Sequence, residues 1–491
     1  MDYLDPKKRL QHAVMLMTGY VLIGIGILIG TTLLLYKAYG YGLDKNGQVI
    51  QNGLVFVSSQ PHPASIYLDG TLNKVRTNSR LPLPAGKYTM KLLRTGYRPW
   101  QRDIQVAGGD VQHFDYPLLV PTTLAATKLK AYDTAPALST QSPDHRWLLV
   151  QPQATAATFE LYDLKDPAKV VPLAIALPAS VAEKTTGNQS WQAVEWSNDN
   201  VHVLLQHTTA DKVEFIVVDR QNPDQSVNLN TVLSVVPTAV SLNNKKYDQY
   251  YLYNAADHSL QTATLRAPTP APYLDHVLAY KSYGDNTVLY ITDANAPAGK
   301  VLVRMRVGTK QYDIRELPAG QTYVADLTQY SGDLYVLTGS SVDSRVYIYK
   351  NPTRQLDAQP NHPAIPVRVL RIAQPTYGSF SANTQFIMAE NGSNVAVYDI
   401  ENNKAYIYSL ASPIDAPQTH LAWMDGDRLV YVSQSKLVML DYDNANRQEL
   451  LASSPTYAPA FAPDFKYFYL LDPAGTQTLL QQASLLAPTD R

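Results

Sequence analysis

Apolar and polar positions divide the chain into one long apolar segment near the N-terminus and a much longer body patterned for β-strands. Between Arg9 and Lys37 the sequence contains no Asp, Glu, Lys or Arg, and residues 14–35 are almost entirely apolar. A helix over that stretch is about 33 Å long, enough to cross the roughly 30 Å hydrocarbon core of a bilayer. The pattern predicts a single transmembrane helix over residues 13–36.

Charges flanking this segment predict its orientation. A basic cluster at residues 7–9 precedes the apolar stretch, and fewer basic residues follow it closely. The positive-inside bias therefore predicts a single-pass plasma-membrane protein with residues 1–12 in the cytoplasm and the body outside. A cleaved signal peptide is the alternative, but residues 38–40 are a poor small-x-small cleavage site, so we expect an uncleaved anchor. Gly26 and Gly30 have a spacing that could allow weak helix dimerisation.

After a linker predicted over residues 37–52, residues 53–120 alternate between apolar and polar positions with a period of two. Met90 and Leu92 point to one side of a predicted strand, whereas Lys87 and Lys91 point to the other. We expect the glycines at the intervening turns to adopt positive φ. Those turns are Asp69-Gly70, Pro84-Ala85-Gly86-Lys87, Thr95-Gly96 and Gly108-Gly109. The pattern predicts a compact antiparallel β domain.

Four landmarks in this segment resemble the PEGA domain in order and spacing. They are residues 55–59 with Pro61, residues 64–70, residues 83–88 and residues 96–100. The Pro-Glu-Gly-Ala turn that gives the family its name appears as Pro84-Ala85-Gly86-Lys87. The resemblance implies a small β-sandwich found on bacterial surface and envelope proteins, with no established catalytic residues. Tyr97 and Trp100 could form an aromatic platform for carbohydrate, but we expect them to fill the core.

Residues 121–491 repeat a unit in which a polar turn leads into an apolar strand, a loop and a second apolar strand. The eight turns begin near Ser142, Trp196, Leu242, Tyr283, Ser331, Ser381, Met424 and Ala462. Such a period is typical of four-stranded propeller blades, so we predict a large β-propeller of seven or eight blades. Residues 142–147 and 462–467 resemble the TolB-type, WD40-like repeat. Two packed β-sandwiches are the alternative.

Closure of the predicted ring requires two strands that are far apart in the sequence. We expect a strand near residues 121–130 to pair with the last one, residues 477–486, which would remove free sheet edges. The predicted fold is therefore all-β apart from one transmembrane helix, with a PEGA-type sandwich over residues 53–120 and a propeller over residues 121–491.

Composition excludes several classes of chemistry. The chain contains no cysteine, so disulfides, thiolate catalysis and Cys-based metal sites are excluded, and a bacterial envelope protein is favoured over a disulfide-rich ectodomain. Residues 53–120 carry eight Lys or Arg side chains and four Asp, whereas the propeller segment is net acidic. The basic segment could rest on anionic lipid or anionic wall polymer, or consist of solvated strand faces.

The sequence offers few candidate catalytic or metal-binding residues. His202 and His207 lie five positions apart in a predicted strand, which places them on opposite faces. Residues 441–446 with Glu449 are similar to a calcium loop but lack its glycine, and an Asp-rich turn explains them better. Residues 351–366 are Pro-rich and predicted to form a stiff loop long enough to bind a ligand. We assign no catalytic, cofactor-binding or metal-ligating residue, and no cofactor.

These observations favour a non-enzymatic envelope protein whose propeller binds an unknown protein or glycan, with the membrane as a further partner and no nucleic acid. The first alternative is a carbohydrate-active enzyme, a glycoside hydrolase or lyase, which would need two carboxylates about 5–10 Å apart in a central cleft. The second alternative is a structural component of a surface layer.

Overall fold

The computed structural model describes residues 6–38, 40–43, 49–182, 187–360 and 362–490. It divides into two compact units, Met1–Thr123 and Leu124–Arg491. The first unit begins with helix α1, Pro6–Ala38, whose segment Arg9–Ala38 has a mean hydropathy of 2.2. This segment is long and apolar enough to cross a membrane, although a signal sequence has the same character. An N-terminal apolar helix is confirmed, and its topology remains a prediction.

Eight strands follow α1 in the first unit. They are β1 (Tyr41–Leu43), β2 (Val49–Val57), β3 (Ser65–Leu68), β4 (Thr71–Arg76), β5 (Ser79–Pro84), β6 (Gly86–Leu93), β7 (Trp100–Val106) and β8 (Val111–Phe114). One sheet has the order β1-β2-β5, with β8 pairing in parallel to β2, and the other has the order β4-β3-β6-β7. The predicted β domain is thus two four-stranded sheets. Strand β1 and the start of β2 pair inside the segment predicted as a linker, residues 37–52.

The core of this sandwich contains the apolar positions that the alternation predicts. Met90, Leu92 and Trp100 are fully buried, and Tyr97 is 5% exposed. The Trp100 ring meets Tyr116 edge to face with centroids 5.9 Å apart. Tyr97 and Trp100 therefore fill the core, and neither forms a surface platform. Burial of one face of each sheet supplies the hydrophobic stabilisation that a domain without disulfides requires.

The prediction that the turn glycines adopt positive φ is right at three of the four turns and wrong at Gly86. Gly70, Gly96 and Gly109 have φ values of 79°, 82° and 80°. Gly86 is the first residue of β6 and has no positive φ, because the chain passes directly from β5 into β6 there. Gly53 is the position where the sandwich needs glycine for close packing. An added Cβ would lie 2.4 Å from Val106 Cγ1.

The second unit is a β-propeller whose eight blades are each a four-stranded antiparallel sheet. The first strand of the unit, β9 (Ala126–Tyr132), precedes blade 1 in the chain and belongs to blade 8. Blades 1 to 4 take four consecutive strands each, in the order β10 (Leu138–Gln141), β11 (Trp147–Gln151), β12 (Thr158–Asp163), β13 (Pro172–Ala176), β14 (Ser190–Trp196), β15 (His202–Thr208), β16 (Val213–Asp219), β17 (Val227–Asn228), β18 (Ala239–Leu242), β19 (Gln249–Asn254), β20 (Ser259–Thr264), β21 (Ala271–Leu274), β22 (Val277–Tyr283), β23 (Thr287–Thr292), β24 (Lys300–Val307) and β25 (Lys310–Pro318). The strands of blades 5 to 8 are β26 (Tyr323–Tyr330), β27 (Asp333–Ser340), β28 (Arg345–Lys350), β29 (Arg368–Arg371), β30 (Tyr377–Phe380), β31 (Phe386–Glu390), β32 (Asn394–Asp399), β33 (Lys404–Ser409), β34 (Ala422–Trp423), β35 (Arg428–Ser433), β36 (Lys436–Asp441), β37 (Gln448–Ala452), β38 (Ala460–Phe461), β39 (Tyr467–Ala474) and β40 (Gln477–Ser484). Two short helices, α2 (Leu229–Leu233) and α3 (Pro352–Ala358), lie between strands.

The eighth blade closes the ring with a strand from the start of the unit. Its order is β38-β39-β40-β9, and β9 pairs antiparallel to β40 from Thr478 opposite Tyr132 to Ala483 opposite Ala126. This is the closure that the sequence predicts, and it replaces the alternative of two packed sandwiches. Glu160 in blade 1 also accepts hydrogen bonds from Lys130 and from the Tyr132 hydroxyl, which ties the closing strand to the next blade.

Each of the eight predicted turns joins the first and second strands of one blade. In blade 1 the Ser142 hydroxyl accepts from the Trp147 N–H at 2.9 Å, and Asp144 accepts from the Arg146 N–H at 3.1 Å. In blade 6 Ser381 and Asn383 make the equivalent bonds. Short polar side chains bind nearby backbone groups in this way and so define tight turns. The apolar core lies between neighbouring blades, since each apolar cluster draws its residues from two of them.

Candidate binding site in the propeller channel

The first strand of each blade lies innermost and lines the axis of the propeller. Strands β10 and β14 contact each other, as do β14 and β18, β22 and β26, and β26 and β30. Side chains directed to the axis from these strands therefore come from different blades, about 40 to 50 residues apart in the sequence. They can meet only because the ring brings the blades together.

Polar contacts connect the first strands of blades 2 to 5. The Leu242 N–H donates to the Glu195 carboxylate, which links blades 2 and 3. The hydroxyls of Ser241 and Tyr280 lie 2.9 Å apart and link blades 3 and 4. Lys281 Nζ lies 3.7 Å from Asp326 Oδ1 and links blades 4 and 5. This part of the channel wall is consequently charged and hydrogen-bonded.

A cavity of about 630 Å³ opens beside these contacts. Its polar lining includes Glu195, Ser241, Lys245, Tyr280, Lys281 and Tyr283. Asn198 and Asn244, which belong to the turns between first and second strands, complete its rim. The cavity therefore lies at the edge of the propeller where the eight repeated turns are found.

Burial perturbs both carboxyl groups of this wall. Removal from water raises the pKa of Glu195 above its usual value, and the hydrogen bond from Leu242 and the charges of Lys245 and Lys281 oppose that effect. Removal from water also raises the pKa of Asp326, again opposed by Lys281. The wall thus contains two carboxyl groups that protonate more readily than surface carboxyl groups and two lysines that partly neutralise them.

The opposite part of the channel wall is aromatic and less charged. The Trp423 indole donates to the Ser379 hydroxyl at 3.2 Å, and the Tyr377 ring stacks on His420 with centroids 4.2 Å apart. Glu390 lies behind this pair, is completely buried, and has an oxygen 3.5 Å from His420 Nδ1. Burial raises the pKa of Glu390, while His420 acts in the opposite direction.

This arrangement can bind a polar ligand through hydroxyl, amide, ammonium and carboxyl groups, with aromatic rings on the far wall. Hydroxyl-rich and amide-containing ligands, such as saccharides or peptide segments, match that set of donors and acceptors. A carboxyl group with a raised pKa could also act as the general acid in chemistry on a sugar, which requires a second carboxyl group that stays ionised.

The weaker sequence candidates lie apart from this site. His202 stacks on Tyr247 and pairs with Asp199 at 2.7 Å, whereas His207 is buried against Trp191. These two histidines therefore serve different local contacts, as the strand spacing predicts. Among the described residues no group of three or more His, Asp or Glu side chains is arranged to hold a metal ion.

Residues 441–446 form a turn, as expected for an Asp-rich strand end. The Asp441 N–H donates to the Ala445 carbonyl at 3.0 Å, and Asn446 donates to the Asp441 carboxylate at 2.8 Å. Glu449 pairs with Lys436 and Arg447.

The prediction of a loop over residues 351–366 is partly wrong, because this segment contains helix α3. Pro352 stands in its first turn, where its fixed φ favours a helix start. The Gln355 side chain then bonds the Lys350 carbonyl and the Ile365 N–H. The segment is thus fixed against its own blade.

Comparison with known proteins identifies one family within the chain. The PEGA domain family matches residues 52–120. No curated protein matches the chain. Similar solved structures include the Dos1 propeller, with 10% identity, a TM-score of 0.44 and coverage of 73% of this chain and 94% of that one.

Two further structures have similar scores. Hsv2 from Kluyveromyces lactis has 12% identity and a TM-score of 0.41, covering 64% of this chain and 98% of its own. An oligogalacturonate lyase in complex with manganese has 10% identity and a TM-score of 0.39, covering 74% and 98%. Similarity this low gives no information on what this chain binds. The chain combines an N-terminal apolar helix, a PEGA domain and an eight-bladed β-propeller.

Proposed function

We propose that the protein is a single-pass, extracytoplasmic envelope protein whose propeller binds a protein or glycan in its channel without transforming it. Helix α1 is the anchor and the PEGA domain is the spacer that follows it. The observation that carries the proposal is the cavity of about 630 Å³ lined by polar side chains from the first strands of several blades. Pockets of this size with a few fixed polar groups are typical ligand sites.

Paired charges in the wall support ligand binding. Lys281 partly neutralises Asp326, and the Leu242 N–H donates a hydrogen bond to one carboxylate oxygen of Glu195. These side chains are therefore held in place before a ligand binds. A preorganised polar wall lowers the cost of ordering side chains on binding. Protein and glycan ligands share the required hydrogen-bonding groups, and the experiment below separates them.

Full-length protein in lipid nanodiscs tests this proposal. We would measure retention of envelope-derived proteins and saccharides by wild type, by Lys281→Ala and by Tyr280→Phe. Ile407→Ala is the matched control, because Ile407 is exposed on the outer strand β33. We expect affinity for the retained ligand to fall at least tenfold in the channel variants and to stay unchanged in the control. Equal retention by all four proteins would exclude the channel as the binding site.

The enzyme alternative has one specific observation in its favour, the raised pKa values of Glu195 and Asp326 on the same wall. A carboxyl group whose pKa is raised by burial is suited to act as the general acid at a glycosidic bond. Incubation of any retained saccharide with wild type and with Glu195→Gln, followed by mass spectrometry, distinguishes the two functions. Intact saccharide supports binding alone, whereas cleavage by wild type that Glu195→Gln abolishes supports the enzyme.

Weak self-association through α1 is a further part of the proposal. Gly26 and Gly30 have open space where a Cβ would be, so a second helix can approach closely at these positions. Replacing both by Ile should lower dimer formation in detergent, measured by cross-linking, if the helix face associates. Unchanged cross-linking would remove this part of the proposal.

A further inference from the structure

Charged residues of the PEGA domain are segregated between its two ends. We define the helix-side end by the start of β2, the Pro84–Lys87 turn and residues 107–110, which lie together because β5 leads directly into β6 there. We define the far end by the end of β2, the start of β5 and the connection from β6 to β7. Strand β1 pairs with the start of β2, so α1 joins the domain at its helix-side end.

Acidic residues concentrate in the half of the domain at the helix-side end. Asp110 directly precedes β8, and Asp69 and Asp103 both accept hydrogen bonds from Thr89 in the first half of β6. Lys87 is the one basic residue of the described domain in this half. The helix-side half is therefore net negative.

Basic residues concentrate in the half at the far end. These are Lys74, Arg76, Arg80, Lys91, Arg94, Arg98 and Arg102. Asp115 is the one acidic residue of the described domain in that half, and it accepts from Ser58 and lies 3.6 Å from His113. Arg94 donates to the Pro63 carbonyl, and Arg102 contacts the Tyr116 hydroxyl. These contacts hold both guanidinium groups at the far end.

Several of these cations have no counter-charge. Arg76 and Arg80 are exposed, and within the described part of the chain they form no ion pair or side-chain hydrogen bond. Lys74 is likewise exposed and Lys91 is half-buried, and among the described residues neither forms an ion pair or a side-chain hydrogen bond. Uncompensated like charges repel one another, which costs the domain stability unless an anion neutralises them. Arginine is also the side chain best suited to bind phosphate or carboxylate groups in a bidentate manner.

We propose that the far end of the PEGA domain binds an anionic polymer, one that carries phosphate or carboxylate groups along its length. A polymer fits better than a lipid surface, because the basic end lies away from the helix and the end nearest the helix is acidic. The strands that separate the two ends are five to six residues long in their paired regions, a separation of about 20 Å.

Full-length protein in zwitterionic nanodiscs, with long-chain inorganic polyphosphate as the probe, tests the proposal. We would compare wild type, the double variant Arg76→Glu/Arg80→Glu, and the control Lys87→Glu, which alters charge at the helix-side end. We expect at least a tenfold loss of polyphosphate affinity in the double variant, at most a twofold loss in the control, and weaker wild-type binding at higher salt. Equal affinity in wild type and the double variant would overturn the proposal.

Membrane contact by the far end is the competing outcome, and the absence of cysteine allows it to be measured directly. A single cysteine is introduced at Thr95 in the far end or at Ala85 in the helix-side turn and labelled with a donor dye, with acceptor dyes in the bilayer. We expect less energy transfer from position 95 than from position 85 in discs containing phosphatidylglycerol. Greater transfer from position 95 would show that the basic end rests on lipid, which contradicts the polymer proposal.

Discussion

Closure of the propeller by β9 predicts that a core change in the last blade weakens the whole ring. Leu480 lies in β40, is 1% exposed, and packs in the cluster with Tyr132, Leu148 and Tyr162 that blades 8 and 1 share. Replacing a buried Leu by Ala costs about 2–5 kcal/mol in transfer free energy and cavity formation. The propeller unit has an unfolding entropy of about 0.8 kcal/mol/K, so Leu480→Ala should lower its melting temperature by about 3–6 °C.

Hydrogen exchange locates where that stability is lost. Amides of Leu289 and Ile291 lie in β23 of blade 4, far around the ring from the change. If the ring unfolds as one unit, their exchange should accelerate by at least about 30-fold, which corresponds to the lower limit of 2 kcal/mol. Gln482→Ala on the same strand is the control and should change stability by less than about 0.5 kcal/mol. Faster exchange confined to blade 8, with β23 unchanged, would refute cooperative closure.

Three further predictions address the other parts of the chain. Gly53→Ala should destabilise the PEGA domain by about 1–3 kcal/mol, because the added Cβ would lie 2.4 Å from Val106. Gly86→Ala is the control and should be tolerated, and thermal melting of the two variants measures the difference. Burial and the charge of Asp425 raise the pKa of Asp427 to about 7. Protonation therefore stabilises the folded state at low pH, and this contribution is lost as pH rises from about 4 to 7. Asp427→Asn, which resembles the protonated form, should gain stability over wild type, on the order of 4 kcal/mol, in denaturant titrations at pH 8. Helix α1 should remain in the membrane after carbonate washing, while external protease digests the chain beyond about residue 40.

Distinct results would contradict each of these three. Equal melting of the Gly53→Ala and wild-type domains would mean that β2 does not approach Val106 as described. A stability difference between Asp427→Asn and wild type that does not change from pH 4 to pH 8 would show that Asp427 titrates normally. Release of a soluble protein that begins near residue 39 or 41 would identify α1 as a cleaved signal.

Local chemistry explains why the sequence predicts the blades so closely. Ser142 and Asp144 bind backbone groups within five residues of themselves, so their turn is visible in the sequence without knowledge of the ring. The closing strand is predictable for a related reason, because β40 would otherwise leave an open edge beside an apolar face.

The remaining features depend on contacts between distant residues. Gly53 is required by Val106, which reaches it only through sandwich packing, and no turn pattern marks it. The channel cavity also depends on residues that are distant in the sequence, because Glu195 and Lys281 in its lining lie in different blades. Alternation along a strand indicates which side chains point away from the apolar core. It does not show whether those side chains face the propeller axis or the outer solvent. The sequence does contain one signal, a charged residue within the first strand of a blade, as at Glu195, Lys281 and Asp326.

Site-specific photo-cross-linking most directly tests the central claim that the channel binds the ligand. A photoreactive phenylalanine analogue is placed at Tyr283, which lines the cavity, or at Ile407 on the outer strand of blade 6, and the full-length protein is irradiated in envelope membranes. We expect a defined protein or saccharide adduct from position 283, absent from position 407 and lost when Lys281→Ala is added. Adducts from position 407 with none from position 283 would show that the outer surface binds the partner and would contradict binding in the channel.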